Sequence, residues 1–154
     1  KLADSNLIAR KIGPINAKYV ASPSYIERHG SPETPEELMT HQAVMQGTET
    51  WPLLDGDTVI EARPLGRFKA DNGAALVAAA LAGVGVAVLP IGLIQDHLDS
   101  GALLPVMTRY PVPEHGVYIV RPPGQHPARK IRVLTEMLIE CFKNPSHVAD
   151  SASD

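Results

Sequence analysis

The chain has 154 residues, 44% of them hydrophobic and 20% charged, with a formal net charge of −3; this suits one globular domain with a core of its own. No Lys/Arg stripe of the kind that grips DNA is present, and a single cysteine, Cys141, excludes an internal disulfide or a cysteine-cluster metal site and fits a reducing compartment. No stretch approaches the roughly 20 apolar residues that span a bilayer, and no N-terminal signal pattern is visible.

The first segment, Leu7–Ile12, reads as extended and stops at Gly13-Pro14. Tyr19-Val20-Ala21 reads as a strand. Ser22-Pro23 then supplies an N-cap and a first-turn proline for a helix over 23–29, and Gly30 suits its C′ position. Thr34-Pro35-Glu36-Glu37 repeats the start signal: Thr34 caps and Glu37 stands at N3 of a capping box. Leu38 and Met39 are expected to face the core. Ala43-Val44-Met45 reads as a short buried strand ending at Gln46-Gly47-Thr48. Thr58–Phe68 reads as strand after an Asp55-Gly56-Asp57 turn. Pro64 and Gly66 interrupt it and predict an edge position or a bulge.

Residues 68–90 are the most regular stretch. A strand hands over to a helix at Asp71-Asn72, and Ala74–Leu81 is nearly all strong helix formers. Gly83 and Gly85 turn the chain, and Val86–Leu89 is an apolar strand closed by Pro90. A strand–helix–strand unit of this kind predicts parallel strands with helices on their faces. Ile91–Leu98 reads as a helix ending near Ser100-Gly101. Leu103-Leu104 and Val117–Val120 read as strands, and Arg121–Gly124 as a break. Pro127 opens a final helix whose apolar face is Ile131, Leu134, Leu138 and Cys141. That register predicts a buried, inert thiol. The polar tail, 144–154, is expected to be disordered.

Candidate chemistry is sparse. Gly83-Val84-Gly85 follows a helix and lacks a third glycine, so it does not make a phosphate cradle. The six histidines show no HxxxH or HxH spacing and read as surface or helix-end residues. No G-x-S-x-G elbow is present. Trp51 and Pro52 read as a pocket wall or a satellite core contact. One constellation remains. Gln46-Gly47-Thr48, Ala70-Asp71-Asn72-Gly73 and Leu89-Pro90 each follow a strand, and in a parallel sheet all three emerge at one edge. That edge offers an amide, a hydroxyl and free N–H groups at a helix start, which suit a small anion or carboxylate. The same residues also serve if they merely cap their helices.

Taken in order, these segments resemble the effector-binding domain of LysR-type transcriptional regulators. The resemblance rests on Asp4–Pro14, on Val20-Ala21-Ser22-Pro23-Ser24-Tyr25-Ile26-Glu27-Arg28-His29-Gly30 with Pro32, Pro35, Leu38 and His41, and on the 70–90 segment with its Ala82-Gly83-Val84-Gly85-Val86-Ala87-Val88-Leu89-Pro90 signature. It implies an α/β, periplasmic-binding-protein-like (type 2) three-layer domain, present mostly as its second subdomain plus a C-terminal helix. Residues 1–16 are then the first crossover and 17–122 the second subdomain. Residues 123–143 are a helix returning to a first subdomain, and 144–154 are the tail. The implied effector-binding residues are Gln46, Gly47, Thr48, Asp71, Asn72 and Gly73. The expected partner is a small-molecule effector. DNA is contacted only through an absent N-terminal winged helix-turn-helix domain, no membrane or cofactor is involved, and the regulator is cytoplasmic and oligomeric. The final helix, lacking its usual partner, is expected to seek a second copy of the chain. A solute-binding protein of a transport system is the alternative with the same fold. An enzyme is not expected, for want of a nucleophile–base pair or a metal cluster.

Overall fold

A computed structural model describes residues 7–47, 50–123 and 129–143. In chain order the elements are β1 (Ile8–Ile15), β2 (Ala17–Ala21), α1 (Pro23–His29), α2 (Pro35–Leu38), β3 (Gln42–Met45), β4 (Trp51–Asp55) and β5 (Thr58–Ala62). Then come β6 (Leu65–Lys69), α3 (Gly73–Leu81), β7 (Val86–Pro90), α4 (Ile91–Asp99), β8 (Leu104–Pro105), β9 (His115–Arg121) and α5 (Arg129–Lys143). They form two compact units, one of residues 16–114 and one of residues 1–15 with 115–154.

The larger unit is built on a five-stranded sheet of order β6-β3-β7-β2-β8. β3 runs parallel to both β6 and β7, as the strand–helix–strand reading requires, and β3 lies between the two strands that α3 connects. β2 is antiparallel to β7 and to β8, so the sheet is mixed. Side chains alternate across it. Tyr19, Ala21, Ala43, Met45 and Val86 face one way and meet Tyr25 of α1, Leu38 of α2 and Trp51, Leu53 and Ala62 of the β4–β5 hairpin. Val20, Val44, Ala87 and Leu89 face the other way and meet Leu76, Ala79 and Ala80 of α3 and Ile94 of α4. Two layers thus cover one sheet, each closing an apolar core.

Local chemistry sets the ends of these elements. Ser22 caps α1, its Oγ accepting the Tyr25 N–H at 3.3 Å. Thr34 caps α2 through the Glu37 N–H at 3.2 Å. Glu37 reaches back to the Glu33 N–H at 2.8 Å instead of closing the box on Thr34 itself. Gly83 turns the chain after α3 at φ 72°. A Cβ there would also stand 2.7 Å from the Arg28 guanidinium, which donates to the Gly83 carbonyl at 3.0 Å. Gly85 lets β7 approach the Gln42 carbonyl of β3. These two glycines therefore serve a turn and a close strand approach, not a phosphate.

Four expectations are corrected. Met39 is 45% exposed while Leu38 is fully buried, because α2 is a single turn and steps about 100° per residue. Thr58–Phe68 is two strands in two sheets: β5 pairs β4 in a hairpin and β6 pairs β3. The break falls at Arg63-Pro64, and the β3–β6 register slips next to Gly66, which makes β6 a bulged edge strand as its sequence suggests. β1 continues through Gly13-Pro14 to Ile15, with a register shift between Lys11 and Gly13. It lies in a two-stranded ribbon with β9, in which both strands are edge strands and so can accommodate a proline. Cys141 is exposed. The face of α5 turned to the ribbon instead carries Thr135, which is buried, and Phe142, against which Gly13 packs. Asp4–Asn6, Thr48, the 124–128 segment with Pro127 and the 144–154 tail lie outside the described residues.

Candidate functional site

The carboxyl ends of β3, β6 and β7 point to one edge of the five-stranded sheet, because these three strands are mutually parallel. Gln46-Gly47 leaves β3, Ala70–Gly73 leaves β6, and Pro90 ends β7. The Ala70 N–H donates to the Met45 carbonyl at 3.0 Å and holds the first two exits together. β2 enters at the same edge, with Ala17 opposite Pro90 and the Ile91 N–H bonded to the Asn16 carbonyl at 2.9 Å.

Two helices begin here. α3 is capped by Asn72, whose Oδ1 accepts the Ala74 and Ala75 N–H groups at 2.8 and 3.3 Å. α4 begins at Pro90, which has no polar side chain, and no side chain caps it. The Ile91 N–H is taken by the Asn16 carbonyl, and the other first-turn N–H groups carry the helix's partial positive charge with no side chain at the cap to accept from them. The two starts are neighbours: a Cβ on Gly73 would stand 3.0 Å from Leu93 Cδ1. Gly92 in the first turn of α4 is exposed and faces open space.

The structure thus brings Gln46, Gly47, Asp71, Asn72 and Gly73 to a single edge; Thr48 is outside the described residues. Gln46, Asp71 and Asn72 are exposed, and Gly47 and Gly73 half-buried. Asn72 caps its helix, as its residue type requires, and its Oδ1 is committed there. The residues that sequence reasoning did not name are Gly92 and Leu93, and their signal was available: a helix opening directly after a proline has no side-chain cap. Trp51 is core rather than pocket wall. It is buried, with its ring 5.7 Å from that of Tyr19. The Tyr19 hydroxyl donates to the Pro52 carbonyl at 2.6 Å, and burial pushes its pKa upward. Among the described residues no group of three or more His, Cys, Asp or Glu could hold a metal, and no helix is long and apolar enough to cross a membrane.

Comparison with known proteins agrees with this architecture. The LysR substrate binding domain family matches residues 1–143. An HTH-type transcriptional regulator of Xanthomonas campestris pv. campestris is 33% identical over 146 residues, covering 90% of this chain and 42% of that protein. The transcriptional regulator CrgA of Neisseria meningitidis serogroup C is 32% identical over 112 residues, or 70% of this chain and 37% of its own. Among solved structures, the CrgA regulatory domain superposes with a TM-score of 0.74 at 27% identity, over 92% of this chain and 72% of that one. Full-length AphB, a virulence activator of Vibrio cholerae, gives 0.75 at 28% identity, over 90% and 49%. The chain belongs to the LysR substrate-binding domain family and has its periplasmic-binding-protein-like α/β fold. It spans less than half the length of the curated relatives it matches.

Proposed function

We propose that this chain is one wall of the sensor of a cytoplasmic, oligomeric LysR-type transcriptional regulator, and that a small anionic effector binds at the carboxyl edge formed by Gln46, Gly47, Thr48, Asp71, Asn72 and Gly73. The observation that carries this reading is the meeting of the α3 and α4 starts at that edge, with the α4 start uncapped beside the exposed Gly92. Backbone N–H groups at helix starts hold anions without a dedicated cation. In this reading residues 1–16 are a crossover, and the opposite wall of the cleft comes from a first subdomain in the longer protein. The effector shifts the population of angles between the subdomains, and so repositions DNA-binding domains in the oligomer. No catalysis and no cofactor are required. The transcriptional regulators among the relatives favour this role over solute transport.

The test uses the longer protein and isothermal titration with a probe set of acetate, benzoate, succinate and inorganic phosphate. At least one probe is expected to bind, and Asn72→Asp to weaken it about tenfold, because aspartate keeps the helix cap while adding a repelling charge. Binding that Asn72→Asp leaves unchanged overturns the site.

A further inference from the structure

Opposite the candidate site, at the amino end of β3, Tyr25 ties α1 to the start of β3. Tyr25 is 1% exposed, and its ring centroid lies 4.6 Å from that of His29 and 5.7 Å from that of His41. Its hydroxyl accepts the backbone N–H of Gln42, the first residue of β3, at 3.0 Å. The same oxygen stands 3.0 Å from His41 Nδ1. A phenol has one proton, and among the described residues this hydroxyl has no acceptor other than His41. A proton directed at Nδ1 requires His41 to be the neutral tautomer with its hydrogen on Nε2.

We propose that the Tyr25–His41 hydrogen bond is a proton-sensitive latch that holds the amino end of β3. A proton on Nδ1 turns that nitrogen into a donor. The Tyr25 oxygen then faces two donors, His41 and the Gln42 N–H, while its own proton loses its acceptor in a buried place. In this proposal the arrangement then opens, and Gln42, which anchors β3 beside Gly85, is released with it. Tyr25, Arg28 and His29 come to this cluster from α1 and Glu37 from α2. Burial above all, and then His29, oppose the charged form of His41, and Glu37 favours it; the balance lowers the His41 pKa below its ordinary value. Arg28 acts on Tyr25, whose pKa burial raises. The far end of β3 carries Gln46 and Gly47, so the latch and the candidate site share one short strand. The latch itself does not depend on any effector.

The test is a pH titration of the isotope-labelled chain by nuclear magnetic resonance. It reads the His41 tautomer from ring nitrogen shifts together with the Gln42 amide shift. His41 is expected to be the Nε2–H form and to titrate below 6.5, its ordinary value, with the Gln42 amide following the same curve. In His41→Gln the Gln42 amide becomes flat across this range, and in His29→Asn it keeps its transition. In Tyr25→Phe the His41 titration moves upward and the Gln42 amide exchanges with solvent about tenfold or more faster. An Nδ1–H tautomer, a Gln42 transition that survives in His41→Gln, or one that vanishes in His29→Asn overturns the proposal. Should a variant fail to fold, the tautomer and co-titration in the unaltered chain decide it alone.

Discussion

The two units bury their side chains very differently. The 16–114 unit closes two apolar cores, one on each face of its sheet, and residues such as Leu53, Val86, Ile94 and Leu103 are fully buried there. In the other unit, Ile12 is the one buried hydrophobic side chain among the described residues. Along α5, Val133, Leu134 and Met137 stay 43%, 56% and 58% exposed. A helix with an apolar stripe derives most of its stability from what covers the stripe, and the β1–β9 ribbon covers only the side with Thr135 and Phe142. One unit thus closes two cores of its own, while the other leaves the apolar stripe of α5 exposed.

Substitutions break or sharpen this contrast. The largest effect is expected for Ile94→Ala, which leaves a cavity between α4 and the sheet and should cost about 2–5 kcal/mol. Leu134→Ala on α5 should cost less than about 0.5 kcal/mol. Urea denaturation of the two variants measures both, and equal losses would erase the distinction between the units. Gly85→Ala comes next. Its methyl group meets the Gln42 backbone, which has no rotamer to give way, so a loss of about 1–3 kcal/mol is expected in thermal melts.

The smallest effect is a slope with pH. His41 has a lowered pKa in the folded chain, so the unfolded chain binds more protons. Stability from this residue is complete above about pH 6.5 and declines as pH falls below it, until the folded-state pKa is passed. Melting temperatures between pH 7.5 and 5 should show this decline, and His41→Gln, which removes the titrating group, should flatten it.

How much of this was legible in the sequence follows from how local each cause is. Ser22, Thr34 and Asn72 act on backbone groups two or three residues away, so helix starts could be read directly. Gly83 and Gly101 mark turns at positive φ for an equally local reason. β4 was missed because Trp51-Pro52-Leu53-Leu54 shows no polar alternation; its partners are β5 and the Tyr19 hydroxyl, 33 residues away. The meeting of Gln46 with Asp71 at one edge was legible once parallel strands were granted. That α4 starts without a side-chain cap was legible from Pro90, but that it starts beside Gly73 needed the packing of Leu93. The exposure of Cys141 and the Tyr25–His41 bond were hidden, because each depends on which surface another element presents.

Hydrogen exchange of the chain, read by mass spectrometry at neutral pH, tests the contrast between the two units most directly. Amides of β2, β3 and β7 should exchange slowest, and those of α5 at least about a hundredfold faster, since α5 opens without disturbing either core. Protection of α5 equal to that of β7 would contradict the account.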